Sequence, residues 1–228
     1  VNRVTPKPVV VALSCAQRSD GQRILRAGED IRIEVAFSGV DGVALPQLEW
    51  FVENVDTTNE AVTRVAMSPV GIGTGRYLAD IPGRTNRSLV RYRIRADRGA
   101  GDEVVSPRSD DVQPWHACFV TPVRAGTASA ATYDVLISRS SLTRLQTNIS
   151  ASPRRITSTA ASGRIRASWN ATEPCFFVHD GTVYEARMRH HGSQYRRDVG
   201  RRSYKVQFPE YRLFRGSDSV FLTDKDRS

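Results

Sequence analysis

Only three cysteines occur in the 228 residues, Cys15, Cys118 and Cys175, and none is spaced as a Cys-x-x-Cys pair. That argues against a structural zinc site and against a dense disulfide scaffold. Lysine is equally scarce. Lys7, Lys205 and Lys225 are the only lysines among 33 basic side chains, so each stands where arginine is the rule. Long apolar runs are also missing: the longest, residues 9–13, is far shorter than the ~18 residues a membrane-spanning helix needs. The chain carries no Walker phosphate loop, heptad pattern or internal repeat, which argues against P-loop chemistry, coiled coils and solenoids.

What is present suits a folded chain. Hydrophobic residues make up 39% and charged residues 25%, too balanced for wholesale disorder, and the length suits two small domains. The net charge of +9 is unevenly placed. Residues 1–117 hold 15 basic and 15 acidic side chains, whereas residues 118–228 hold 18 and 9, so 18 − 9 accounts for the whole excess. The densest stretch, 187–215, sets nine basic groups against Asp198 and Glu210 alone.

The first half reads as strands. Residues 31–37 alternate apolar and polar positions, the period of a half-buried strand. Residues 8–16, 48–52, 75–81 and 89–94 are further strand candidates, separated by turn signals such as Asp41-Gly42 and Pro82-Gly83. Short strands at this spacing, without a helical stretch, predict an antiparallel β-sandwich. A Gly28-Glu29-Asp30 turn, then Trp50, then Tyr92 in a late strand resembles an immunoglobulin-like or fibronectin-type module. The polar stretch 106–114, with Pro107 and Pro114, predicts a boundary between a first domain at 1–114 and a second at 115–228.

In the second half, strands are expected at 115–122, 133–137, 175–179, 182–190, 203–208 and 220–223. Ser140 or Ser141 caps an expected helix through Leu142, Leu145 and Ile149. Asp180-Gly181 favours the positive φ angles of a two-residue hairpin. Cys118 and Cys175 form the one candidate disulfide, with buried thiols as the alternative. Asn-x-Ser/Thr sequons stand at Asn86, Asn148 and Asn170, and matter only in a secretory route.

The candidate chemistry lies between residues 182 and 208. In the expected strand 203–208, Lys205 shares a face with Ser203 and Gln207, while Tyr204, Val206 and Phe208 take the other. A Gly/Ser-bearing loop precedes it, with Gly192, Ser193, Arg196, Arg197, Arg201 and Arg202. Backbone donors in such a loop beside a lysine point charge suit phosphate oxygens. A solvated basic surface is the plainer alternative. His116, His179 and the pair His190-His191 have no ligand or catalytic partners in sequence, and Ser193 lacks an Asp–His pairing.

The succession Asp180-Gly181, Tyr184, Arg187-Met188-Arg189, Gly192-Ser193 and Arg202 through Phe208 resembles the N-terminal part of the spore coat protein H (CotH) kinase family. The resemblance runs from about Tyr133 to Gly216 and implies a β-rich α+β region like a kinase N-terminal lobe. It gives Lys205 a nucleotide-phosphate contact and makes Arg189, Gly192 and Ser193 shape the adjoining loop. Arg202, where the family usually has lysine, and Gln194, where it has a small hydroxyl residue, depart from the pattern. The family's metal-holding and base carboxylates lie in a helical lobe beyond the matched region. ATP and Mg²⁺ are thus implied only together with that lobe, and no cofactor is expected for these 228 residues alone. Asp218, Asp224 and Asp226 read as polar turn residues.

The sequence therefore predicts a mainly β chain: a sandwich followed by a kinase-like β-region without catalytic carboxylates. The expected role is that of a secreted or surface interaction or structural protein, with protein partners or self-assembly and no membrane span. The alternative is a polyanion binder, for acidic polysaccharide or nucleic acid, using Arg196, Arg197, Arg201 and Arg202 within the 187–215 face.

Overall fold

A computed structural model describes residues 9–15, 24–38, 46–57, 59–97, 103–122, 132–150, 170–191 and 203–222. The chain divides into two compact units, the first reaching Ala131 and the second formed by most of the rest. Both are mainly β.

In the first unit, strand β2 (Ile31–Ser38) shows the predicted alternation: Ile31, Ile33, Val35 and Phe37 are buried and the residues between them are not. It pairs antiparallel with β1 (Val9–Cys15) on one side and β6 (Arg76–Ile81) on the other. β5 (Ser68–Pro69) completes a four-stranded sheet. A second antiparallel sheet has β3 (Gln47–Val52) and β7 (Leu89–Asp97) at its centre and β4 (Thr63–Ala66) at one edge. Met67, 1% exposed, is the single residue by which the chain passes from β4 in one sheet to β5 in the other. Leu48, Trp50, Val90, Tyr92, Ile94 and Ala96 from this sheet share one core with Ile31, Ile33, Val35 and Ile81 from the first. Burial of these side chains, at about 1.5–3 kcal/mol each for the larger ones, is what holds the two sheets together.

The opposite edge corrects the sequence-based domain boundary. β8 (Glu103–Ser106) and β9 (His116–Phe119) both pair antiparallel with β7, β8 along Ile94–Asp97 and β9 along Leu89–Tyr92. They are two halves of one edge strand, interrupted by an excursion at 107–115. The stretch read as an interdomain linker therefore lies inside the first unit. Its prolines and polar residues serve the excursion, and the strand that follows it returns to the same sheet instead of starting a new one.

The outer face of that sheet carries a charge network the sequence does not announce. The Glu49 side chain is fully buried, yet Nε of Arg93, Arg64 and Arg95 lie 2.5, 2.7 and 3.2 Å from its carboxylate oxygens. Burial alone would raise the Glu49 carboxyl, but the hydrogen bonds from Arg93 and Arg64 and the charge of Arg95 hold it below the ordinary carboxylate range. Trp115, at the end of the excursion, meets Phe51 edge-on at 4.9 Å and receives the Arg93 guanidinium 4.1 Å from its ring centroid. Nearby, Arg91 donates to Glu53 at 3.0 Å, and Arg95 also reaches Glu103.

The second unit is a meander. β10 (Asp134–Leu136), β11 (Glu173–His179), β12 (Thr182–His191), β13 (Ser203–Gln207) and β14 (Ser219–Leu222) lie side by side in chain order. One helix, α1 (Arg139–Ser150), is inserted after β10. Asp180 and Gly181 have φ of 48° and 73°, the left-handed pair expected of the β11–β12 turn. The helix begins earlier than its leucine spacing suggests. Ser138 Oγ accepts from the Ser141 N–H at 3.0 Å and the Ser138 carbonyl accepts from the Leu142 N–H at 2.9 Å, so Ser138 is the cap, not Ser140 or Ser141. Arg144 then ties the helix to β11, donating to Glu173 at 2.7 Å and to the Ser141 hydroxyl at 2.8 Å.

The core of this unit is aromatic. Phe177 is fully buried, with ring centroids of Tyr133, Phe208 and Phe214 at 5.2, 5.2 and 5.1 Å. Arg215 and Gly216, both with positive φ, turn the chain so that Phe214 and Ser217 bond to one another and Phe214 inserts among these rings. Tyr204, Phe208 and Phe214 belong to this core or its margin. Cys118 and Cys175 do not form the candidate disulfide: Cys118 packs in the first unit's core and Cys175 in the second's. Burial pushes the Cys175 thiol up to about 12, with Arg187 opposing, so it stays protonated and a poor nucleophile.

Candidate anion-binding face

Which residues of the second sheet face outward follows from alternation and register. On β12, Tyr184, Ala186 and Met188 turn toward the core, leaving Arg187, Arg189 and His191 on the other face. On β13, Tyr204 and Val206 turn inward, so Lys205 and Gln207 are left on that outer face, as the sequence predicts. On β14, Val220 and Leu222 turn inward and leave Ser219 and Phe221 outward.

Register brings these side chains together. Arg189 stands opposite Lys205, Arg187 opposite Gln207, and Lys205 in turn opposite Phe221. Neighbouring strands run about 4.8 Å apart and alternate residues about 6.8 Å apart along a strand, so three cations fall within one small area. Arg187 donates through Nε to the Thr172 hydroxyl and through Nη2 to the Thr172 carbonyl, both at 2.8 Å. Arg189 donates to Asn170 Oδ1 at 3.1 Å and to the His190 carbonyl at 3.2 Å. Lys205 Nζ lies 5.5 Å from the Phe221 ring centroid. These partners are neutral. Among the described residues no salt bridge reaches Arg187, Arg189 or Lys205, although the charge of Arg187 helps lower the Glu173 carboxyl and Glu185 shares the outer face two positions along β12.

Thr172 and Asn170 do something further. Among the described residues, they hold each guanidinium through part of its donors and so orient its plane. An anchored guanidinium has less rotamer freedom to lose on meeting an anion than a free one.

Gly192, Ser193, Arg196, Arg197, Arg201 and Arg202 lie outside the described residues, as do Asp224 and Asp226. Asp218 is exposed and accepts at Oδ1 from the Ser219 hydroxyl at 3.0 Å, a turn role as expected. The histidines are not grouped: His179 takes Arg215 Nη2 at 2.7 Å on its Nε2, His190 packs on Tyr204, and His116 on Tyr92. Among the described residues, no three His, Cys, Asp or Glu side chains gather where a metal ion could be held.

Two members of the face escaped sequence reasoning, Phe221 and His191. Phe221 is half exposed, and its ring centroid lies 4.5 Å from that of His191. Phe221 sits in an unbroken Val-Phe-Leu run, where the pattern alone does not say which residue turns out. No protein-family model and no curated protein matches the chain. Among the described residues, no helix is long and apolar enough to cross a membrane.

Proposed function

We propose that this chain is an interaction protein whose second unit holds an anionic, phosphate-bearing partner on the face formed by Arg187, Arg189 and Lys205. In this reading the first unit is an immunoglobulin- or fibronectin-like sandwich that carries the second. The observation that bears most weight is the grouping of three cations on one sheet face by the pairing of β12 with β13, with neutral hydrogen-bond partners for the two arginines. The likeness of residues 180–208 to the CotH kinase family supports the same choice of Lys205. Phosphoryl transfer needs carboxylates or amides for Mg²⁺ and for the acceptor hydroxyl, and those belong to a lobe outside the region of likeness. The reading is therefore one of binding.

Thermal unfolding at low salt tests it. Inorganic tripolyphosphate should raise the melting temperature, and Lys205→Ala and Arg189→Ala should each reduce the rise. A ligand at about 100 times its Kd contributes about 2.7 kcal/mol, well within reach of the method. No shift with tripolyphosphate, ATP or polyphosphate would sink the proposal. Arg189 directly opposite Lys205 favours a second, narrower reading as a nucleotide site. That reading requires ATP with Mg²⁺ to shift the protein more than tripolyphosphate does.

A further inference from the structure

We infer that the anionic partner is a single-stranded nucleic acid, read through Phe221 and His191 as well as through the three cations; this rests on the anionic-partner reading above. Charge alone would serve any polyanion. Phe221 would not: it is a large apolar ring, 50% exposed, placed directly opposite Lys205 on the face where water and charge otherwise dominate. Of the described residues of β14, Val220 and Leu222 enter the core margin, so Phe221 is outward by strand geometry and not by a failure of packing.

The ring is held in position. His191, two strands away on β12, tilts against it at 50° with centroids 4.5 Å apart, and the Lys205 ammonium lies 5.5 Å from its centroid. The result is a short aromatic step bounded by a lysine, with Arg189 beside the lysine and Arg187 one repeat further along β12. Bases of a single strand present π-faces that can stack on such a ring, while the backbone phosphates run beside the cations. Gln207, Ser203 and Ser219 add neutral donors and acceptors to the same face. A duplex keeps its bases stacked internally and offers no ring to Phe221. A sulfated or phosphorylated chain without planar rings, or an acidic peptide, would use the cations and leave the aromatic step empty.

Fluorescence anisotropy with a labelled oligothymidylate of about 12 nucleotides, within the usual site sizes of such proteins, tests the assignment. Phe221→Ala should weaken oligothymidylate binding about tenfold, equivalent to about 1.4 kcal/mol and inside the range for one stacked base. It should leave inorganic polyphosphate binding unchanged, because polyphosphate has charge and no rings. Phe221→Trp should bind oligothymidylate at least as tightly as the native chain, which guards against a mere folding defect in the alanine variant. Lys205→Ala should weaken both ligands and lower the slope of log affinity against log salt by about 0.7 for the oligonucleotide. If Phe221→Ala leaves oligothymidylate binding unchanged, or if duplex DNA or polyphosphate binds as tightly as the single strand, the nucleic-acid assignment falls and the anion reading stands. If no polyanion binds at low salt, both fall together.

Discussion

Replacing Glu49 by glutamine removes one negative charge and almost no volume, so it isolates what the network on the outer face of the first unit contributes. The carboxylate is fully buried and meets Nε of Arg93 at 2.5 Å, Arg64 at 2.7 Å and Arg95 at 3.2 Å. Breaking a buried ion pair from one side costs about 3–5 kcal/mol, because the remaining charges stay desolvated. Here the remaining charges differ. The Arg64 side chain is 64% exposed and can return to water, whereas that of Arg93 is 18% exposed and pinned between Glu49 and Trp115. A loss of about 2–3 kcal/mol is therefore expected, with most of it assigned to Arg93. For a unit of this size, with about 2.1 cal/mol/K of unfolding entropy per residue, that corresponds to a fall of about 7–11 °C in melting temperature. Urea unfolding followed by tryptophan fluorescence is the assay, since Trp115 lies against Arg93 itself. A cycle with Arg93→Gln should give a coupling energy of at least about 1 kcal/mol. The native-state carboxyl is held below its ordinary range, so this stabilisation is present above that range and is lost as the pH falls through the lowered value. A Glu49→Gln variant within about 0.5 kcal/mol of the native chain, or a coupling near zero, would refute the reasoning.

Two further outcomes follow from the first unit. A methyl group at Gly83 would sit 2.5 Å from the carbonyl carbon and oxygen of Gly28, and Gly83 N–H is already committed to Asp30 Oδ1 at 2.9 Å; Gly83→Ala should therefore destabilise by about 1–3 kcal/mol in equilibrium unfolding, as overpacking against backbone does, and a neutral result would mean that this turn shifts freely. Burial pushes the His116 imidazole down to about 4, with Asp111 opposing; the unfolded chain therefore takes up a proton from about pH 6.5 downward while the native chain does not, and up to about 3 kcal/mol of stability is lost between pH 6.5 and 4. His116→Phe should flatten that part of the stability–pH curve relative to the native chain, and identical curves would overturn the assignment.

Alternation made the strands legible. Residues 31–37 and 203–208 declare both their conformation and their inward faces, and Asp180-Gly181 declares its turn, because each signal is local. The cationic face was half legible for the same reason: Lys205 and Gln207 could be placed on one side of β13. Its other half depended on register between strands, which puts Arg189 and Phe221 beside Lys205 and which no single-strand pattern encodes. The charge network around Glu49 was hidden for a related reason. Glu49 occupies an outward position where a solvated carboxylate is the ordinary expectation, and no single-strand pattern shows that Arg64, Arg93 and Arg95 converge on it or that Trp115, at the end of the excursion, stacks on Arg93. The misplaced boundary came from the same excursion, since a polar, proline-bearing stretch inside one edge strand has the composition of a linker.

That interrupted edge also changes how the first unit meets its own copies. An unbroken strand running from β8 through β9 would offer a long row of backbone donors and acceptors, the template on which sheets of separate molecules join. Divided at 107–115, it offers two four-residue pieces with a charged, proline-bearing projection between them. Either piece alone gives an incoming strand a ladder of only about four residues, half of what an unbroken edge would give. The excursion thus acts as a guard against edge-to-edge aggregation, and shortening it to a two-residue turn would be a way to make this sheet sticky.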